Sequence, residues 1–198
     1  MKKVVIIGAG GHGRVVADIA KACGYEDIIF LDDAEKQISS GKVSDYKKYK
    51  DSYGFIVAIG NNVIREKIQT QLSQDKCEIV TFIHPNAVIG SDVSVGIGTV
   101  IMAGTVINTG ARIGNGVIIN TASSVDHDNV IGDYCHISVG AHLAGTVQVG
   151  MRTMIGAGAT VINNVSICNE CIIGASAAVV KNIEKTGVYV GIPARKLK

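Results

Sequence analysis

The sequence predicts an α/β half-Rossmann domain over residues 1-80, followed by an all-β parallel β-helix with a C-terminal tail over residues 81-198. Three observations carry this. From Ile83 to Val179 every sixth residue is Ile, Leu or Val, without a miss. Four residues after each stands a mostly small one, as at Ala87, Thr99, Ala111, Ser123 and Cys135. Ahead of the repeat, a short apolar stretch runs into Gly8-Ala9-Gly10-Gly11-His12-Gly13 and then into a helical pattern.

A six-residue period fits neither a helix nor an ordinary strand. A hexapeptide coil gives it, with three hexads closing a triangular turn of about eighteen residues. The branched aliphatic points inward and the small residue fits the corner. Each buried Ile or Val contributes roughly 1.5–3 kcal/mol, so this interior needs no cofactor. The repeat is uninterrupted and leaves no room for a protruding loop. Gly187 to Lys198 forms a final turn and tail. Many outward positions are Ala, Thr, Val, Met or Gly. Such weakly polar walls predict burial against other copies, most simply a homotrimer matching the prism.

The first domain reads as β-α-β-β-α-β. Strands are expected at Lys2 to Ile7, Asp27 to Leu31, Phe55 to Ile59 and Glu78 to Phe82. Helices are expected at Arg14 to Cys23, with Gly24 as a C-cap, and at Val63 to Leu72. The polar stretch Lys36 to Asp51 has room for a short helix near Ser44 to Tyr49.

Composition narrows the function. A formal charge of +2 is too small to argue for nucleic acid or an anionic membrane. Five cysteines without framework spacing suggest reduced thiols and a cytoplasmic protein. The apolar stretch Val4 to Ile7 is a strand rather than a signal peptide, and nothing reaches transmembrane length.

Two motifs carry chemistry. In the glycine turn, backbone N–H groups at a helix N-terminus can meet a phosphate. Asp32 lies about twenty residues on, where an acid can take a ribose hydroxyl. Three readings fit: a dinucleotide cofactor, a nucleotide of another kind, and a tight turn with no ligand. The half-sized domain, with no partner domain for hydride chemistry, favours the second. Gly60-Asn61, on the same rim of the sheet, could complete the pocket.

The other motif is Asp126-His127-Asp128. His127 is off both inward periods and faces outward. One coil earlier is Thr109 and one coil later is Gly145, so Gly145 should leave open space above the ring and bare an N–H there. An exposed base beside an amide donor suits acyl transfer: the base takes the nucleophile's proton and the N–H steadies the oxyanion. A flanking acid can orient the ring. The competing reading is an idle surface histidine. His136 and His142 also face outward, six residues apart, but no HxxxxH pair supports a metal site. Asn120 and Lys181 are candidate ligand contacts.

With these residues in place the chain resembles the sialic-acid-O-acetyltransferase-type family of sugar O- and N-acyltransferases, a hexapeptide-repeat family. The likeness runs through GAGGHG, IIFLDD, IVAIGNN, HPNAVIG, NTASSVDHDNVIGDYCHISVGAHLAG and VYVGIPAR, essentially the whole chain. It is strongest to members that N-acetylate the 4-amino group of a UDP-4-amino-4,6-dideoxy sugar. The resemblance implies a left-handed coil and an acetyl-CoA-dependent acyltransferase without a metal. It implies a UDP-sugar pocket formed by Gly11, His12, Asp32, Asp33, Gly60 and Asn61. His127 would be the general base, paired with Asp128, where the family carries Glu or Asp. His136 would contact the thioester carbonyl or the sugar. Acetyl-CoA would lie between two solenoids of a homotrimer, touching Asn120, His136, Gly145, Ala157 and Ala175, with Lys181 and Arg195 near its phosphates. The family commonly has Cys or another small residue where Asn129 stands, an inward corner bearing on packing more than on catalysis. The alternatives are O-acetylation of sialic acid or a related sugar, a metal-dependent hydratase, and a nucleotide-sensing scaffold.

Overall fold

The computed structural model describes residues 1–34 and 37–197. Lys36, which opens the expected polar stretch, and Lys198, which ends the expected tail, lie outside the described residues. Near the chain start, β1 (Lys2–Ile7), β2 (Tyr25–Leu31) and β3 (Gly54–Val57) form a parallel sheet in the order β2-β1-β3. Helices α1 (Gly11–Ala22) and α2 (Asn62–Gln74) pack on it. The short helix expected near Tyr46 is a 3-10 turn, Val43–Lys48.

Two expectations shift. Helix α1 begins at Gly11 rather than Arg14, because the glycine turn itself winds into the first helical turn. Gly13 has to be glycine for this. A β-carbon there would lie 1.9 Å from the Gly8 carbonyl oxygen, where helix and turn touch. The expected fourth strand divides. Only Ile79 bridges to β3, opposite Phe55. Phe82 instead pairs with Val100 in the first coil, and its ring is 1% exposed among Val16, Ile19, Val100 and Ile118.

From Phe82 the chain winds about six turns of a left-handed parallel β-helix with three walls. The first wall stacks strands such as 100–101, 118–119, 136–137 and 154–155. The second stacks 106–107, 124–125 and 142–143, and the third 112–113, 130–131 and 148–149. The inward aliphatics from Ile101 to Val179 are at most 4% exposed. Ile83 is 38% exposed, because the first coil has no coil beneath it. A further six-residue period was not legible in the sequence. Every sixth residue from Asp92 to Ser176 has positive φ, which turns each corner.

The weakly polar walls have a nearer explanation than other copies. Val100, Met102 and Ile118 on the first wall are at most 2% exposed, because β1 and α1 of the same chain cover them. Exposed apolar side chains remain further along, at Val130, Val139, Ile162 and Ile172.

Candidate active site

The two units are fastened by a residue the sequence reading passed over. Arg65 on α2 is 1% exposed and touches both domains. Its Nε donates to Gly116 O at 2.6 Å, and its Nη2 donates to Tyr134 O at 2.8 Å and Cys135 O at 3.1 Å. Its Nη1 donates to Ile59 O at 2.9 Å and Gly60 O at 3.3 Å. No carboxylate is bonded to it among the described residues. Its one sequence signal is Gln69, a helical turn later, which is also buried and donates to Ile97 O at 3.1 Å. Two long polar side chains at that spacing marked an inward helix face.

The glycine turn forms one wall of a cavity of about 410 Å³. Gly10, Gly11, His12, Asp32, Asp33 and Gly60 line its polar side, and Val43, Ile64 and Ile68 its apolar side. Among the described residues no side chain caps the N-terminus of α1, so its first N–H groups can meet an anion. Asp32 is committed to the backbone: its carboxylate accepts from Ala9 N–H and Ala34 N–H, both at 2.8 Å. Each of its oxygens accepts one of these bonds and keeps a lone pair to which a ribose hydroxyl can donate. Asp33 accepts from Val43 N–H through one oxygen, at 2.9 Å. Asn61 is not in this cavity. Its side chain caps α2, accepting from Ile64 N–H at 3.0 Å, and it lines an adjoining cavity with Gly60, Met154 and Ile172.

His12 and His136 meet near Arg65. Burial first, then the Arg65 charge, pushes His12 down to about 4. The same causes, with His12 as a third, push His136 down to about 4. Both are neutral at pH 7. Asn120 Nδ2 lies 3.1 Å from His136 Nε2, so contact of that nitrogen with a thioester requires the Asn120 amide to turn away.

His127 lies elsewhere, on the corner between the second and third walls. Its Nδ1–H donates to Asp128 Oδ2 at 2.9 Å. Asp128 has φ +57°, which swings the carboxylate back to the ring. Gly110, one coil below, makes room: a β-carbon there would lie 2.6 Å from Asp128 Oδ1. Asp126 Oδ1 accepts from His127 N–H at 2.7 Å and from Asn108 at 2.7 Å. The Asp128 bond raises the His127 pKa above its ordinary 6.5, with the Asp126 and Asp128 charges adding to it. Gly145 leaves room at the ring, and the ring itself takes it up. The imidazole lies across it, and a β-carbon on Gly145 would sit 2.4 Å from Nε2. Among the described residues no acceptor is found for the Gly145 N–H.

The expected cofactor contacts fall into two columns. Asn120, Ala157 and Ala175 stand on the corner after the first wall, next to His136. His127, Gly145 and Lys181 stand on the corner after the second wall, at intervals of whole coils. Lys181 is three coils above His127, or about 14 Å at ~4.8 Å per coil. One protomer does not join these columns, because its second wall lies between them. Arg195 is exposed in the tail, where its Nη1 donates to Ala194 O at 2.9 Å. Among the described residues, no cluster of three or more His, Cys, Asp or Glu is placed to hold a metal. No helix there is long and apolar enough to cross a membrane.

A hexapeptide solenoid preceded by an α/β region, with a His–Asp pair on its corner, defines a class: left-handed β-helix acetyltransferases. Comparison with known proteins makes this particular. The PglD N-terminal domain family matches residues 3–72. UDP-N-acetylbacillosamine N-acetyltransferase of Bacillus subtilis is 38% identical over 52% of this chain and 52% of its own, so the match spans about half that relative's length. The acetyltransferase domain of PglB from Neisseria gonorrhoeae, also solved with acetyl coenzyme A, is 35% identical over 100% of both chains, with TM-score 0.95. PerB from Caulobacter crescentus, solved with CoA and GDP-perosamine, is 36% identical over 100% of this chain and 98% of its own, with TM-score 0.94. The chain belongs to this sugar acyltransferase family.

Proposed function

We propose that the chain is an acetyl-CoA-dependent N-acetyltransferase acting on the 4-amino group of a nucleotide-linked 4-amino-4,6-dideoxy sugar, with UDP as the nucleotide. The observation that carries it is His127. Its Nδ1–H is held by Asp128 at 2.9 Å, which leaves Nε2 as the free basic nitrogen, beside the Gly145 backbone.

The sugar amine attacks the thioester carbonyl. A C–N bond forms, the C–S bond breaks, and the proton lost by nitrogen passes to His127 Nε2. CoA leaves as the thiolate, and the Gly145 N–H faces the oxygen that gains charge. General base catalysis typically adds a factor of about 10²–10⁴, and holding the two reactants together supplies more. The glycine turn and the open end of α1 suit the diphosphate. The two columns of cofactor contacts suit acetyl-CoA bound between neighbouring solenoids of a homotrimer. The base of one copy then serves the pocket of the next.

The test is a thiol-release assay with acetyl-CoA and a panel of UDP- and GDP-linked 4-amino sugars. Release with the UDP 4-amino substrate, abolished in His127→Ala, is the expected result. Release only with the GDP sugars reverses the nucleotide assignment. Release only with free sialic acid overturns N-acetylation itself.

A further inference from the structure

Asn129 stands in the column of inward corner residues that otherwise holds Ala, Val, Cys, Ser and Thr. It is fully buried, and both its amide hydrogens and its carbonyl oxygen are hydrogen-bonded. Its Nδ2 donates to Asp126 O in its own turn at 2.6 Å and to Ala144 O in the next coil at 3.0 Å. Its Oδ1 accepts from Val147 N–H at 3.1 Å. Thr146 N–H also donates to His127 O at 2.9 Å. The turns carrying His127 and Gly145 are therefore tied together from inside the prism.

Other polar residues in this column do only part of this. Thr99 donates to Gly114 O at 2.8 Å and accepts from Val117 N–H at 3.0 Å, so it bonds only to the next coil. Thr153 does the same with Cys168 O and Cys171 N–H. Ser123 donates only back into its own turn, to Asn120 O at 2.7 Å. None of the Thr and Ser residues of this column combines both kinds of bond as Asn129 does, and the Cys171 thiol reaches Asn169 O and Lys185 O only at 3.7 and 3.9 Å.

We propose that Asn129 is a positioning residue for acetyl transfer, fixing the His127 turn against the Gly145 turn from the side opposite the substrates. This rests on His127 being the base. Asn129 touches no substrate and acts through the two residues it holds. The charged groups acting on the His127 ring are Asp128 and Asp126 from its own turn, and Gly145 packs against it from the coil above. Loosening the turn therefore acts mainly through the Asp128 contact.

The experiment compares Asn129→Thr, Asn129→Ser and His127→Ala in the full chain, using acetyl-CoA and whichever nucleotide 4-amino sugar the wild type turns over. Threonine can keep the bonds to the next coil, as Thr99 does, and lacks the bond to Asp126 O. We expect it to lower kcat about tenfold, on the scale of a small misplacement of a reacting group. Both KM values and the thermal midpoint stay put, and the acid limb of the pH–rate profile moves to lower pH. Serine, which can remake the own-turn bond as Ser123 does, recovers part of kcat. It also gives a second reading if the threonine variant does not fold. Wild-type kcat and pH profile in both variants overturn the proposal. So does a fall in kcat that tracks a fall in the thermal midpoint with the acid limb unmoved, which marks a structural role only. An active His127→Ala variant instead refutes the base assignment on which the proposal rests.

Discussion

The imidazole of His127 occupies the space that a side chain on Gly145 would need, with Nε2 2.4 Å from the missing β-carbon. Gly145→Ala therefore expels the ring and moves the base away from the amide donor. We expect kcat to fall about 10²–10³-fold, the range for losing a base or an oxyanion donor. Thermal stability should change little, since the ring swings out into solvent. Steady-state rates and a melting curve check this together.

Asp128 raises the His127 pKa through their hydrogen bond. A base must be neutral to act, so the wild-type rate should fall as pH drops through a value above 6.5. Asp128→Asn removes the largest cause of the shift. Its acid limb should move to lower pH, toward the ordinary histidine value, while the plateau rate falls about tenfold or more from lost orientation. An acid limb that stays in place would show that Asp128 does not govern the base.

His12 and His136 are held neutral in the folded protein, with values of about 4. Unfolded histidine titrates near 6.5, so the unfolded chain binds more protons between these values. The stability from their neutral burial is fully present above about 6.5 and is lost as pH falls toward 4, on the order of 3 kcal/mol for each histidine. Urea midpoints measured down this range should decline, and less steeply in His12→Asn. Parallel slopes for the two proteins would refute the assignment.

Arg65→Met leaves the carbonyls of Gly116, Tyr134 and Ile59 without their donor inside the domain junction. The expected loss is about 1–3 kcal/mol for each carbonyl left without a donor. Chemical denaturation of the full chain measures it.

A site shared between copies predicts complementation. Gly11→Glu places an acid at the open N-terminus of α1, where nothing lies within 4 Å of the added β-carbon. It should repel a diphosphate without disturbing the fold. Alone it should be inactive, as should His127→Ala. Mixed oligomers of the two should regain part of the activity, because some sites then draw an intact pocket and an intact base from different copies. No recovery would place base and pocket in one chain.

The six-residue period made the solenoid legible, because each inward aliphatic repeats the same packing problem. Counting by coils also places Gly145 against His127. It did not show that the ring itself takes the glycine's space, since a side-chain rotamer is not written in a period. The glycine turn announced a phosphate-sized opening. Asp32, read as a ribose ligand, also accepts from Ala9 and Ala34, and the Asn61 side chain caps a helix. Both acts are local hydrogen-bonding choices that only a folded loop settles.

The sequence by itself determined the coil, its inward core, the outward His127 and the stacking of Gly145 one turn above, because all follow from a fixed repeat length. Only the tertiary structure decided how the two units meet. Arg65 lies in an ordinary helical stretch, and its meaning depends on carbonyls 51 to 70 residues away. Burial keeps His12 and His136 neutral, and the same contact adds one buried cation beside both. Long-range placement sets that electrostatic environment, and no local pattern in the chain encodes it.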